Sequence, residues 1–249
     1  VEVIGVKDFN EMSKRAAQFV YEDLVNRRIK VMGMATGGTP IGFYKQLVRL
    51  YKKGDFSFKG IQTVNLDEYV GLSPENPNSY HQYMYQHLFQ HIDIQRDQTH
   101  LPNGAAEDLE RECVRYEQLI EELGGIDLQL LGIGENGHIG FNEPGTSFHS
   151  NTHVVNLTTA TREANARYFN DRREVPKQAI TMGIDTIMKS KKILLLASGK
   201  EKAQAIYRLL YDKVDESCPA TILQRHPNIT IIADNEALSL VTITDRKLN

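Results

Sequence analysis

The sequence predicts an α/β protein: one doubly wound, mostly parallel sheet with helices on both faces. Two observations predict it. Short strand-like apolar runs at residues 1–6, 29–34, 62–66, 128–133, 193–197 and 229–233 are mostly separated by segments of helical spacing. The second run then breaks into Ala35-Thr36-Gly37-Gly38-Thr39-Pro40 before helical spacing resumes, which is the βα half of a parallel unit.

Taken in order, residues 1–6 form a first strand. Asn10 reads as the cap of a helix whose apolar stripe is Met12, Ala16, Phe19, Val20 and Leu24. After the second strand and its glycine turn, Tyr44, Leu47, Val48 and Tyr51 mark a second helix. The third strand runs into Asp67, and the loop 73–79 leads to a helix that starts near Tyr80. That loop is either part of a lid or a plain surface turn. Cys113 falls in step with Leu109, Tyr116, Ile120 and Leu123, so it reads as a small core residue of a helix. Repeats, low-complexity tracts and linkers rich in Pro, Gly and Ser are missing, so residues 1–249 read as one domain.

Composition narrows the function. A hydrophobic fraction of 41% suffices for a buried core, and a formal net charge of -3 gives no basic field for nucleic acid or an anionic membrane. An anionic ligand must be caught locally. The first thirty residues contain no signal-like stretch, and the longest apolar run, 193–197, is far too short to span a bilayer. Cys113 and Cys218 have neither metal-ligand spacing nor the density of a disulfide scaffold. The expectation is a cytoplasmic protein.

In parallel sheets ligands bind outside the carboxyl ends of the strands, which singles out four loops. In the first, Gly37 and Gly38 can turn successive backbone N–H groups toward a ligand, with Thr36 and Thr39 adding hydroxyls and Pro40 suiting the first helical turn. The segment lacks the Walker lysine and G-x-G-x-x-G, so it is no nucleotide site; it is either an anion site or a plain tight turn. In the second, Asp67 follows an apolar strand; it is a general base if desolvation raises its pKa, or a solvated loop acid if not.

The third loop, 132–144, carries four glycines, Asn136, His138 and Glu143. Histidine gives and takes protons near neutrality, and Glu143 could accept a hydrogen bond from the ring and fix its tautomer. No second histidine stands at metal-ligand spacing, so a metal is not expected. The fourth loop, 198–200, leads to Lys202. Together with Arg167, Lys202 is a candidate phosphate partner; each alone reads as a surface charge.

Residues 35–40, 65–72 with Asp-Glu-Tyr-Val-Gly at 67–71, 134–144, 161–169, 175–177 and 199–203, in this order, closely resemble the glucosamine-6-phosphate deaminases, also called isomerases. The resemblance implies a Rossmann-like fold and the conversion of glucosamine 6-phosphate and water to fructose 6-phosphate and ammonia, without metal or cofactor. It implies that His138 assists ring opening, Asp67 moves the proton between the second and first sugar carbons, and Glu143 sets the charge and orientation of His138. Phosphate would be held by Thr36, Gly37, Gly38, Thr39, Arg167 and Lys202. Two readings compete: a 6-phosphogluconolactonase-like hydrolase, and a non-catalytic sugar-phosphate sensor.

Two departures from the family pattern carry expectations. Some members have an aspartate where this chain has Asn136, which should leave the His138 imidazolium less favoured here. Hexameric members activated by N-acetylglucosamine 6-phosphate place an arginine and a lysine where this chain has His153 and Val155, so activation is not expected. With the short tail after Ala233, a monomer or small homo-oligomer is expected rather than a hexamer.

Overall fold

The computed structural model describes residues 1–242 and 247–248. Its elements run β1 (Glu2–Val6), α1 (Phe9–Val25), β2 (Val31–Met34), α2 (Thr39–Tyr51), β3 (Gln62–Asn65), β4 (Asp67–Tyr69), α3 (Tyr80–His87), β5 (Thr99–His100) and α4 (Leu109–Glu122). They continue through β6 (Leu128–Leu131), β7 (His153–Asn156), α5 (Thr159–Asn165), β8 (Gln178–Thr181), α6 (Ile184–Met188), β9 (Ile193–Ala197), α7 (Ala203–Tyr211), β10 (Ile229–Asp234) and β11 (Lys247–Leu248). The main sheet has the order β11-β1-β10-β9-β6-β2-β3-β5, and all its pairings are parallel.

The six apolar runs all become strands of this sheet. Each residue of β9, Ile-Leu-Leu-Leu-Ala, is buried, as is each residue of β2, β6 and β10. Burying each such Ile or Leu side chain contributes about 1.5–3 kcal/mol, which is what holds short strands together far from one another in sequence. From β2 the sheet grows one way through β3 to β5; the chain then crosses back to lay β6 on the other side of β2 and continues through β9. The order reverses between β2 and β6. A crevice opens there at the carboxyl ends of the strands.

Two expectations change. The sheet is not alone: β4, β8 and β7 form a second, antiparallel sheet that the sequence reading omitted. Asp67 follows the carboxyl end of β3 as expected, and it also opens a strand of the small sheet, opposite Thr181. The cap of α1 is Asp8, not Asn10: Asp8 has extended backbone and its carboxylate accepts from the Glu11 N–H at 3.0 Å, while Asn10 lies inside the first turn.

Elsewhere the helical stripes behave as read. Met12, Ala16, Val20 and Leu24 are buried on α1, with Phe19 half-buried, and Cys113 and Tyr116 are buried on α4. Glu117 of α4 ties the small sheet to the frame. One carboxylate oxygen accepts from the Thr152 N–H at 2.8 Å, the Thr152 hydroxyl at 2.6 Å and the Thr186 hydroxyl at 2.6 Å, joining α4, the entry to β7 and α6. Glu117→Ala strands these donors and should cost about 2–3 kcal/mol, lowering the thermal midpoint by roughly 5–10 °C. An unchanged melting curve would show that the clamp carries no stability.

Candidate active site

Because β9, β6, β2 and β3 are neighbours and parallel, the loops that follow them emerge side by side at one edge. After β2, Gly37 adopts φ +97°, a conformation that suits glycine, and Gly38 leads into α2 with Pro40 in its first turn. The segment 36–39 thus sits at the amino end of a 13-residue helix, where unpaired N–H groups and the helix dipole favour an anion.

Asp67 is buried, and burial, reinforced by the charge of Glu68, pushes its carboxyl up to about 8. That basicity suits a group that must take a proton near neutral pH and return it. Glu68 is also buried but is engaged differently: it accepts from the N–H groups of Tyr69, Tyr80 and His81 at 2.8, 3.0 and 3.1 Å and pairs with the His81 ring at 2.8 Å. One carboxylate anchors α3; its neighbour is held in a dry setting.

The histidine loop folds back on itself, with Gly134 donating to the His138 carbonyl at 2.9 Å. A Cβ at Gly134 would stand 2.1 Å from the imidazole, so only glycine leaves room for the ring. The loop reaches Asp67 as well, since a Cβ at Gly140 would lie 3.8 Å from its carboxylate oxygen.

The direct bond expected between Glu143 and His138 is not what the structure contains. Their closest approach is 3.7 Å, and Asn136 stands between them. The Asn136 amide N–H donates to Glu143 at 2.7 Å, and the Asn136 carbonyl oxygen faces His138 Nδ1 at 2.7 Å. A carboxylate only accepts, so it fixes which way the amide points; an amide oxygen only accepts, so Nδ1 carries the proton. The neutral ring then keeps the lone pair of Nε2 for chemistry. Glu143 is steadied from the other side by the Thr161 hydroxyl of α5 at 2.5 Å. Burial lowers the His138 pKa, Glu143 and Glu135 oppose that, and Lys202 adds to it.

Lys202 is therefore close to the histidine, half-buried on the 3₁₀ turn Lys200–Lys202. Asp234, at the end of β10, holds the approach to that turn, accepting from the Ser198 hydroxyl at 2.5 Å and the Gly199 N–H at 3.2 Å. Arg167 is exposed on the 3₁₀ turn Ala166–Tyr168, and Phe169 just beyond it packs edge-on against Tyr69 of the small sheet, 5.7 Å between centroids.

Sequence reasoning missed Tyr80. Its ring packs 4.7 Å from that of Tyr69, and burial raises its pKa, with Tyr69 and Asp67 adding to the rise and Thr36 opposing it. It therefore lies near both Thr36 and Asp67. An aromatic at the start of a helix gave no signal beyond core packing. The loop 73–79 returns to α3 through Ser79, which caps the helix and donates to the Pro74 carbonyl at 3.1 Å. Among the described residues no group of three or more His, Cys, Asp or Glu is placed to hold a metal ion, and Cys113 and Cys218 are free thiols.

An anion turn, a carboxylate of raised basicity and an oriented histidine at the switch point of a parallel sheet define a class of protein suited to moving protons on a small anionic substrate. The chain belongs to the family described as glucosamine-6-phosphate isomerases/6-phosphogluconolactonase, whose model matches residues 8–232. It is 56% identical over 248 residues to the glucosamine-6-phosphate deaminase of Geobacillus sp. (strain WCH70), covering 100% of this chain and 99% of that one. A solved monomeric glucosamine-6-phosphate deaminase superposes with a TM-score of 0.94 at 54% identity, covering 96% of this chain and 100% of that one. A 6-phosphogluconolactonase from Trypanosoma cruzi shares the fold, with a TM-score of 0.76 at 20% identity over 97% of each chain.

Asn136→Asp places a carboxylate against His138 Nδ1, where Glu143, Glu135 and Lys202 already act on the ring. The His138 pKa should rise in this variant. Histidine titration by NMR in both proteins measures it, and an equal or lower value in the variant would contradict the reading.

Proposed function

We propose that the chain is a glucosamine-6-phosphate deaminase, converting its substrate and water to fructose 6-phosphate and ammonia as a single catalytic unit. The observation that carries this reading is the buried Asp67 carboxylate, raised in basicity, beside the histidine loop. Thr36, Gly37, Gly38 and Thr39, with Arg167 and Lys202, hold the phosphate, so binding energy from the remote end positions the reacting end.

His138 Nε2 takes the proton of the anomeric hydroxyl and returns it to the ring oxygen, opening the pyranose. Asn136 and Glu143 hold the ring in the tautomer this requires. Asp67 then removes the proton from the second carbon of the open chain and delivers it to the first. The enolamine between these steps becomes a ketimine, which water hydrolyses to the ketose and ammonia. No cofactor enters this sequence.

A lactonase needs no shuttle between adjacent carbons and a sensor needs no base, so the Asp67 setting speaks against both. Among the described residues no helix is long and apolar enough to cross a membrane. Buried free thiols support a cytoplasmic setting, and the 54% identical monomeric structure supports a monomer or small homo-oligomer.

Incubation with millimolar glucosamine 6-phosphate should release ammonia and fructose 6-phosphate in equal amounts; no turnover defeats the proposal. Asp67→Asn should abolish solvent deuterium exchange at the second carbon while inorganic phosphate still competes for the site, and surviving exchange would mean that another group is the base.

Regulation follows from β7. His153 and Val155 lie on this half-buried strand, and an apolar side chain offers an effector phosphate no bond. N-acetylglucosamine 6-phosphate should leave the substrate saturation curve where it was; a large leftward shift would overturn this.

A further inference from the structure

The glycines that let the segment 36–39 approach an anion also leave its peptide units free to rotate. A rotated unit would point a carbonyl, not an N–H, at the phosphate. Two tyrosine hydroxyls fix peptide units here, one at Gly37 and one at the peptide that leads into Thr36. Tyr83 of α3 donates to the Gly37 carbonyl at 2.7 Å, and Tyr44 of α2 donates to the Ala35 carbonyl at 2.6 Å. In a trans peptide the C=O and the following N–H point in opposite directions, and no cis peptide is present among the described residues. A carbonyl pinned by Tyr83 therefore directs the Gly38 N–H the other way, and one pinned by Tyr44 does the same for the Thr36 N–H.

We infer that Tyr83 and Tyr44 are positioning residues that hold the backbone N–H groups of Gly38 and Thr36 toward the substrate phosphate. This rests on the turn being the phosphate site. Tyr44 is fully buried and burial pushes its phenol far up, so it remains a donor at any working pH. Tyr83 is set in place by α3, whose first N–H groups are held by Glu68, the neighbour of Asp67. Base and anion turn are thus braced by one short helix. The Tyr83 ring packs against Tyr44 at 6.5 Å, Tyr80 at 6.4 Å and His87 at 4.5 Å, so phenylalanine keeps the packing and deletes only the hydroxyl.

The test is steady-state kinetics of the full chain with inorganic phosphate as competing probe. In Tyr83→Phe the KM for glucosamine 6-phosphate and the inhibition constant of phosphate should both rise about 5- to 30-fold, with kcat within about threefold of the parent. A role in packing alone would move the melting temperature and neither constant. Tyr44→Phe gives the same readout through the Ala35 carbonyl if the first variant does not fold. A phosphate inhibition constant equal to that of the parent in the folded variants overturns the inference. If phosphate does not compete in the parent and Thr36→Ala leaves KM unchanged, the turn is not the phosphate site, and the inference falls with that reading.

Discussion

The parallel pairing of β9, β6, β2 and β3 is the constraint on which the rest depends. Parallel strands present their carboxyl ends at one edge, so residues as far apart in sequence as Thr36 and Lys202 emerge on neighbouring loops. The sheet brings the loops together but does not shape them. Each is shaped by its own bonds: Asp234 on the Ser198–Gly199 turn, Gly134 beneath the His138 ring, Tyr44 and Tyr83 on the carbonyls of the anion turn, and Glu68 at the start of α3. Loops fixed in this way need little reordering when a ligand arrives, which is where preorganised sites gain over flexible ones.

The electrostatics divide along the same lines. Two adjacent buried carboxylates would repel each other if treated alike, and they are not. Glu68 is surrounded by N–H donors and the His81 ring, whereas Asp67 lies in a desolvated setting where its basicity rises. Asn136 solves a related problem for the histidine. A carboxylate in its place would face Glu143 and concentrate negative charge, but the amide passes orientation from Glu143 to His138 without adding charge. Burial disfavours the charged imidazole, and the Asn136 carbonyl fixes its tautomer.

What was legible in the sequence follows from how strongly each element is specified locally. β9 and β10 are continuous apolar runs, and such runs announce a strand buried on both faces wherever they occur. β4 is three residues, Asp-Glu-Tyr, and β7 is a half-buried His-Val-Val-Asn; neither has a pattern that could be told from a loop, because tertiary pairing with β8 makes them strands. In the site, residue types and position made His138, Glu143 and Asp67 candidates, and the family resemblance supplied their roles. The order of the relay did not show, since nothing in a sequence says that Asn136 stands between two side chains it is near to in number. Tyr80 and Tyr83 were hidden for another reason: aromatics at helical spacing look like core, and here Tyr83 both packs and donates to the Gly37 carbonyl while Tyr80 packs against Tyr69.

The small sheet, which the sequence did not reveal, sets which carboxylate faces the histidine loop. Successive residues of a strand point to opposite faces. With Asp67 opposite Thr181 and Glu68 opposite Ile180, Asp67 faces the histidine loop and Glu68 faces α3. Slipping β4 by one residue would exchange them, putting the acid that belongs under α3 into the crevice and the dry carboxylate under the helix. The Met182 N–H donates to the Leu66 carbonyl at 2.6 Å immediately before β4 begins, and the Phe141 N–H donates to the Thr181 hydroxyl at 3.1 Å. These bonds fasten the register to the main sheet on one side and to the histidine loop on the other. A fold shared with lactonases at 20% identity does not by itself select a reaction. The register of a three-residue strand determines which of two neighbouring acids faces the histidine loop.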